Sequence, residues 1–221
     1  MHANWEIIGR EGFTFYGKMS ASISHEIKNV LAIINENAGL LSDFTIMAAR
    51  GVPIEPERIK TISSKIAEQV RRADLICKNM NQFAHSVDDH IKATALDELI
   101  AVVIKLSLRF AANRGVHLEH QASATPLSIT TSPFLLQNLV WLCLDKAMDL
   151  AGEKKNVSII TKDVENGVII EFKHSGTLRE KSGSSFPGEK ENTLIRLLEA
   201  TMEINDQTGE IVLRLPVSID K

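Results

Sequence analysis

The sequence predicts an α+β protein: a long antiparallel helical hairpin that dimerises into a four-helix bundle, followed by a domain of short strands and helices. Three observations carry this reading. Apolar residues recur at steps of three, four and seven between Phe13 and Met47, and again between Ile59 and Phe83. After SVDDHIKATA the text changes to short β-type runs alternating with helical stretches. Aromatic residues make up 5% of the chain and there are only 12 Gly and 6 Pro, too few for a sandwich or barrel built on many turns.

The first helix has Ile23, Ile27, Val30, Ile34 and Leu41 on one side, with Gly17 and Gly39 its only glycines and no proline. RGVPIEPER, holding Gly51, Pro53 and Pro56, is a turn. The second helix runs to about Asp88 on a seam of Ile59, Ile62, Ile66, Ala73, Ile76, Met80 and Phe83, interrupted by Gln69. Two helices of about 35 residues are each about 50 Å long and cannot hide both seams against one another, so a second copy is expected to complete the bundle. Beyond them, Leu96 to about Arg114, Leu135 to Leu150 and Thr193 to Met202 read as helices. HLEHQ, PLSITT, NVSIITKD, GVIIEFKH and EIVLRLPV read as strands. The boundary falls between Val87 and Ala95, giving domains 1–92 and 93–221.

With 25 Lys and Arg against 28 Asp and Glu, the net charge of -3 offers no field that would draw in DNA or RNA, so no nucleic acid partner is expected. Cys77 and Cys143 each lie in an apolar run, which reads as two buried free thiols in a reducing compartment. No stretch approaches the roughly 18 to 20 apolar residues of a membrane span, and the start has no signal-peptide pattern; the expectation is a soluble, cytoplasmic protein with no membrane partner. His85, Asp88, Asp89 and His90 sit at a helix end where polar residues face water, and His117 and His120 fall on opposite faces of a strand. Neither group is read as a metal site.

At about 100° per residue from Ile23, the seam of the first helix stays within roughly 40° and His25 lands near 200°. The imidazole therefore stands on the solvated side, with Glu26 beside it and Asn29 one turn later. An exposed imidazole on a rigid helix can attack phosphorus when a carboxylate sets its tautomer and accepts a proton. The run SHEIKNVLAIINENAGLL resembles the H-box of bacterial sensor histidine kinases, in histidine, acid, apolar, base and asparagine and in its amphipathic continuation. The resemblance implies that His25 carries the phosphoryl group, that Glu26 assists transfer, and that Glu26 with Asn29 positions water to dephosphorylate a regulator. The family usually has proline after the asparagine. Val30 stands there instead, which predicts a straighter helix.

The second half is similar to that family's ATPase-like α/β sandwich, in degenerate form. SPFLLQNLVWLCLDKAMDLA resembles the helix whose asparagine helps to bind the magnesium of ATP; here Lys146 takes that position and Leu142 stands one turn earlier, with Asp145 available to a metal only in a shifted register. VIIEFKHSGTLRE aligns with the adenine-binding box, with His174 in place of its aspartate, Gly176 retained and Leu178 in place of its second glycine. FPGEKENTLIRLLEA replaces the glycine-rich phosphate loop, leaving one glycine, Gly188, and two carboxylates, Glu189 and Glu191, where phosphates would sit.

These resemblances imply a two-component histidine phosphotransfer protein of bacterial type, relaying a phosphoryl group between response-regulator aspartates through His25 without ATP. No cofactor is expected on this chain, Mg2+ being held by the partner receiver domain. The expected partners are a response regulator receiver domain, a second copy of the chain and an upstream hybrid kinase. The alternatives are an unorthodox ATP-dependent kinase, a regulator phosphatase, or a pseudokinase that binds a regulator without chemistry.

Overall fold

The heptad text of residues 13–47 lies inside a longer helix. In the computed structural model, which describes residues 2–153, 155–174, 186–205 and 207–219 and their side chains from residue 9 onward, α1 is an unbroken 48-residue helix, His2–Ala49. With no proline after Asn29 the hydrogen-bond ladder has no reason to break there. The helix ends at Gly51, whose φ of 79° is left-handed. The Val52 N–H donates to Met47 O at 3.1 Å and the Gly51 N–H to Ala48 O at 2.9 Å, the paired C-terminal bonds of a Schellman cap. Pro56 then opens α2, Pro56–Ala84, at a position that needs no N–H.

Contacts divide the chain into residues 19–82 and a second unit made of residues 1–18 with 83–221. The boundary expected from the sequence, 92/93, lies within the second unit. The N-terminal part of α1 joins the second unit through aromatic packing: Phe15 and Phe83 meet edge to face with centroids 5.4 Å apart, and Phe15 lies 5.7 Å from Phe134. Such pairs add about 0.5 to 1.5 kcal/mol beyond the area they bury.

In the hairpin unit, Ile23, Val30, Ile62 and Ile76 are buried. The Arg58 guanidinium lies 5.1 Å from the centroid of the Phe44 ring, tying the two helices together near the turn. Cys77 is exposed, because the seam runs through Ile76 and the next position turns outward; only Cys143 is a buried thiol. That corrects the expectation of two buried cysteines.

The second unit begins with a 3-10 turn, His85–Val87, and strand β1, Lys92–Ala95. Helix α3, Leu96–Arg114, follows, then β2, His117–Gln121, and β3, Ser128–Thr131. Helix α4 is Pro133–Asp149; β4, Asn156–Val164, and β5, Gly167–His174, form a hairpin. Helix α5, Glu189–Leu197, and strands β6, Thr201–Ile204, and β7, Ile211–Pro216, complete it. The α+β class is as expected: long N-terminal helices followed by a mixed sheet.

Five strands lie in the order β2-β4-β5-β7-β6, with β2 and β4 parallel and the other neighbours antiparallel; β1 and β3 form a separate antiparallel pair. The register builds a core of rows, Ile159 beside Phe172 beside Ile211, and Thr161 beside Ile170 beside Leu213. All but Thr161 are apolar, and all are buried. Helix α4, buried along Leu136, Leu139, Val140, Cys143, Leu144 and Ala147, packs against β4 and β5. The helix expected over Thr193 to Met202 stops at Leu197, and Thr201–Ile204 is a strand paired with β7.

Gly167 opens β5 with φ 153°, and a Cβ there would lie 2.0 Å from Leu215 O. Gly167→Ala should therefore destabilise the fold by about 3 kcal/mol or more, through strain and a clash with backbone that cannot yield. Urea unfolding with an unchanged midpoint would show that β7 can move aside.

Candidate functional site

His25 owes its position to the burial pattern around it. Ile23 is 5% exposed and Val30 0%, so the arc of α1 through Met19, Ser22, Ile23, Val30 and Asn37 faces inward. His25 and Asn29 lie outside that arc and are exposed. Glu26, four residues from both Ser22 and Val30, lies at its margin and is half-buried. The three expected site residues thus share one turn of an unbroken helix, His25 open to solvent with a part-shielded carboxylate next in the chain. An imidazole so placed can meet a reacting phosphorus without any opening of the fold.

Helical geometry also assigns the sides of the hairpin. Successive residues advance about 100° in opposite senses on two antiparallel helices seen from one end. Let the inward arcs, Ile23, Val30 and Asn37 on α1 and Ile62, Gln69 and Ile76 on α2, face each other. His25 then points about 120° away from the contact, toward one side of the hairpin. Ile27, Leu31 and Ile34 of α1 turn toward the other side, and Ile59, Ile66 and Val70 of α2 turn the same way. Three of these six are large and exposed, Leu31 at 56%, Ile59 at 44% and Val70 at 45%.

In the second unit the positions aligned with nucleotide contacts are engaged by the chain itself. Asp145 accepts a hydrogen bond from Arg114 Nη2 at 2.8 Å, and Arg114 Nε lies 3.1 Å from Asp149 Oδ1. The guanidinium from the end of α3 thereby holds the carboxylate that a shifted register would have offered to a metal. Lys146 Nζ stands 5.9 Å from the centroid of the Phe186 ring. His174, at the end of β5, alternates onto the same sheet face as Phe172 and Ile170 and is half-buried. Gly176 and Leu178 lie outside the described residues.

Glu191 differs most from expectation. It does not stand free beside a phosphate position: it is 3% exposed, and its Oε2 accepts the Gly188 N–H at 2.8 Å, at the N-terminus of α5. Lys190 Nζ lies 3.6 Å from its other oxygen. The carboxylate at the third helical position returns to the first unpaired donor, satisfying with an internal anion the end of the helix that attracts anions. Burial, and then the Glu191 charge, push the Cys143 thiol of α4 well above its usual range. Glu189 is exposed. The sequence carried the signal, a Glu three residues after a glycine at a helix start, but the phosphate-loop comparison directed it to repulsion rather than capping.

The polar residues set aside as metal ligands are also placed. His85 Nδ1 is 2.6 Å from Asp88 Oδ2, and Asp89 accepts from Lys92 Nζ at 3.3 Å. His117 is exposed, whereas His120 Nε2 approaches Asp97 Oδ1 at 3.2 Å, an oxygen that also accepts the Thr161 hydroxyl at 2.7 Å. Among the described residues, no three His, Cys, Asp or Glu side chains gather in a metal-binding group. Nor is any described helix long and apolar enough to cross a membrane.

No family model and no curated protein matches the chain. Among solved structures it is similar to the Acinetobacter baumannii histidine kinase AdeS, at 12% identity over 87% of this chain and 98% of that one, with a TM-score of 0.49. It is similar to histidine kinase ThkA in complex with response regulator protein TrrA, at 16% identity over 96% of this chain and 66% of that one, with a TM-score of 0.47. The catalytic domain of ThkA matches over its whole length and 60% of this chain, at 14% identity and a TM-score of 0.49. These neighbours are histidine kinase catalytic domains and longer kinase segments.

Proposed function

We propose that this chain is a two-component histidine phosphotransfer protein that works through His25 and does not bind ATP. The observation that carries the reading is the exposed His25 of the SHEIKN run, held on an unbroken helix with Glu26 and Asn29 in the same turn. The donor is the aspartyl phosphate of a receiver domain. A ring nitrogen of His25 uses its lone pair to form an N–P bond, and the P–O bond to the aspartate breaks, so that the carboxylate leaves with the electron pair. Glu26 accepts the proton from the other ring nitrogen. The reverse step places the group on the aspartate of a second receiver. Asn29 with Glu26 orients water when a regulator is dephosphorylated.

The receiver's own carboxylates hold the Mg2+ of this reaction. A second copy covers the apolar side of the hairpin, leaving His25 on the other side. The internal contacts of Asp145 and Glu191 support the absence of nucleotide: the first is neutralised by Arg114 and the second fills the N-terminus of α5. Titration with ATP and magnesium should accordingly give no heat of binding in calorimetry. A dissociation constant in the low micromolar range would overturn this and restore an ATP-dependent kinase.

A further inference from the structure

A serine or threonine buried inside a helix commonly donates its hydroxyl to the carbonyl four residues back, because no water reaches it there. This chain does so at Ser107, which donates to Val103 O at 2.6 Å, and at Thr193, which donates to Glu189 O at 2.9 Å. Ser86, in the 3-10 turn, reaches Phe83 O at 2.6 Å. Ser22 of α1 is different. The residue is 1% exposed, and its Oγ is buried with no hydrogen-bond partner, the Lys18 carbonyl included. Among the described residues it is the one hydroxyl buried within a helix and left unpaired.

Such a hydroxyl lowers stability, since folding strips it of water and returns nothing. Alanine would fill nearly the same space and has the higher helix propensity. The packing of the hairpin therefore gives no reason for a serine here, and the neighbouring residues supply one. On the wheel that sets Ile23 at zero, Ser22 falls at about −100°, between Glu26 at about −60° and His25 at about −160°. It precedes His25 by three residues and Glu26 by four, the spacings at which helical side chains meet. Long helical side chains lie back over the turn before their own Cα, which carries the Glu26 carboxylate toward Ser22.

We infer that Ser22 is a positioning residue of the transfer site: its hydroxyl donates to one oxygen of the Glu26 carboxylate and leaves the other oxygen to take the ring proton of His25. This role rests on the phosphotransfer reading and supplies the group that orients its proton acceptor. Hydrogen bonds at a reacting site tighten when the partner is seated, so a donor left unpaired in the free chain is available at that step. Held at one oxygen, the carboxylate already points at the ring when the phosphoryl group arrives. Ser22 keeps its own proton and touches no reacting atom.

The test uses the full chain and purified receiver domains charged with acetyl phosphate, taking the receiver that labels His25 fastest. Ser22→Ala should lower kcat about tenfold, the worth of one hydrogen bond to a charged group, with KM within about twofold of the parent. In a Glu26→Ala background the same substitution should change nothing, because the group it acts on is gone. The midpoint of urea unfolding should be unchanged or raised, since the hydroxyl removed was buried without a partner. A kcat for Ser22→Ala within about twofold of the parent overturns the role. A loss of rate that persists in the Glu26→Ala background, or that comes with a lowered urea midpoint, overturns it too, by making Ser22 a structural residue. So does a raised KM at the parental kcat. Transfer at the parental rate in Glu26→Ala, or no label on His25 from any receiver, is a failure of the phosphotransfer reading itself, and the role of Ser22 falls with it.

Discussion

His25→Gln should abolish phosphoryl transfer while leaving fold and self-association intact. Glutamine keeps a polar side chain of similar reach but has no lone pair able to displace a carboxylate from phosphorus. His25 lies outside the buried arc of α1, and exposed substitutions away from packed residues usually change stability by less than about 0.5 kcal/mol. Its neighbours should have separable effects. Glu26→Ala should slow transfer roughly 10- to 1000-fold if the carboxylate accepts the ring proton or holds the ring. Asn29→Ala should spare transfer and reduce loss of phosphate from the regulator. Acid-labile label persisting at the parental rate in His25→Gln, or appearing on His85, His90, His117 or His120, would place the site elsewhere.

Val70→Glu should convert a dimer into a monomer of 24.5 kDa. Leu31, Ile59 and Val70 are each about half exposed on the side of the hairpin away from His25, and covering them gains about 25 cal/mol for each Å2 removed from water. A carboxylate at the centre of such a face opposes this with a desolvation cost of several kcal/mol, incurred twice because a two-fold contact repeats every substitution. A loss of about 100-fold or more in association follows from a few kcal/mol, and a charge at Ile66 should act in the same direction. Sedimentation or light scattering that found the parent monomeric at all concentrations would remove the bundle from the account.

The helical hairpin was legible because its heptad text is local: Ile23 and Val30 lie one heptad apart, Ile62 and Ile76 two heptads apart, and all four are buried as that spacing requires. The start of α1 was not, since Gly9 and Gly12 weaken helical text. The helix continues there through tertiary packing: Gly12 sits so close to the Phe134 ring that an added Cβ would lie 3.3 Å from it. The strand at Thr201–Ile204 was hidden for the opposite reason. Leu194, Leu198 and Met202 keep a helical period, but residues 201–204 pair with β7 at the sheet edge, and pairing overrides a short periodic signal. At the candidate site, the exposure of His25 followed from the wheel. The roles of Arg114 and Glu191 did not, because the first depends on a contact across 31 positions of chain and the second on the direction of a side chain at a helix end.

In the proposed relay phosphate reaches His25 from a receiver domain and not from ATP. Incubating the pure chain in parallel with radiolabelled ATP and magnesium, and with a receiver domain carrying radiolabelled aspartyl phosphate, tests it in one gel. Acid-labile label is expected on the chain from the receiver alone, and none in His25→Gln. Label taken from ATP, or none from any receiver domain tested, would contradict it.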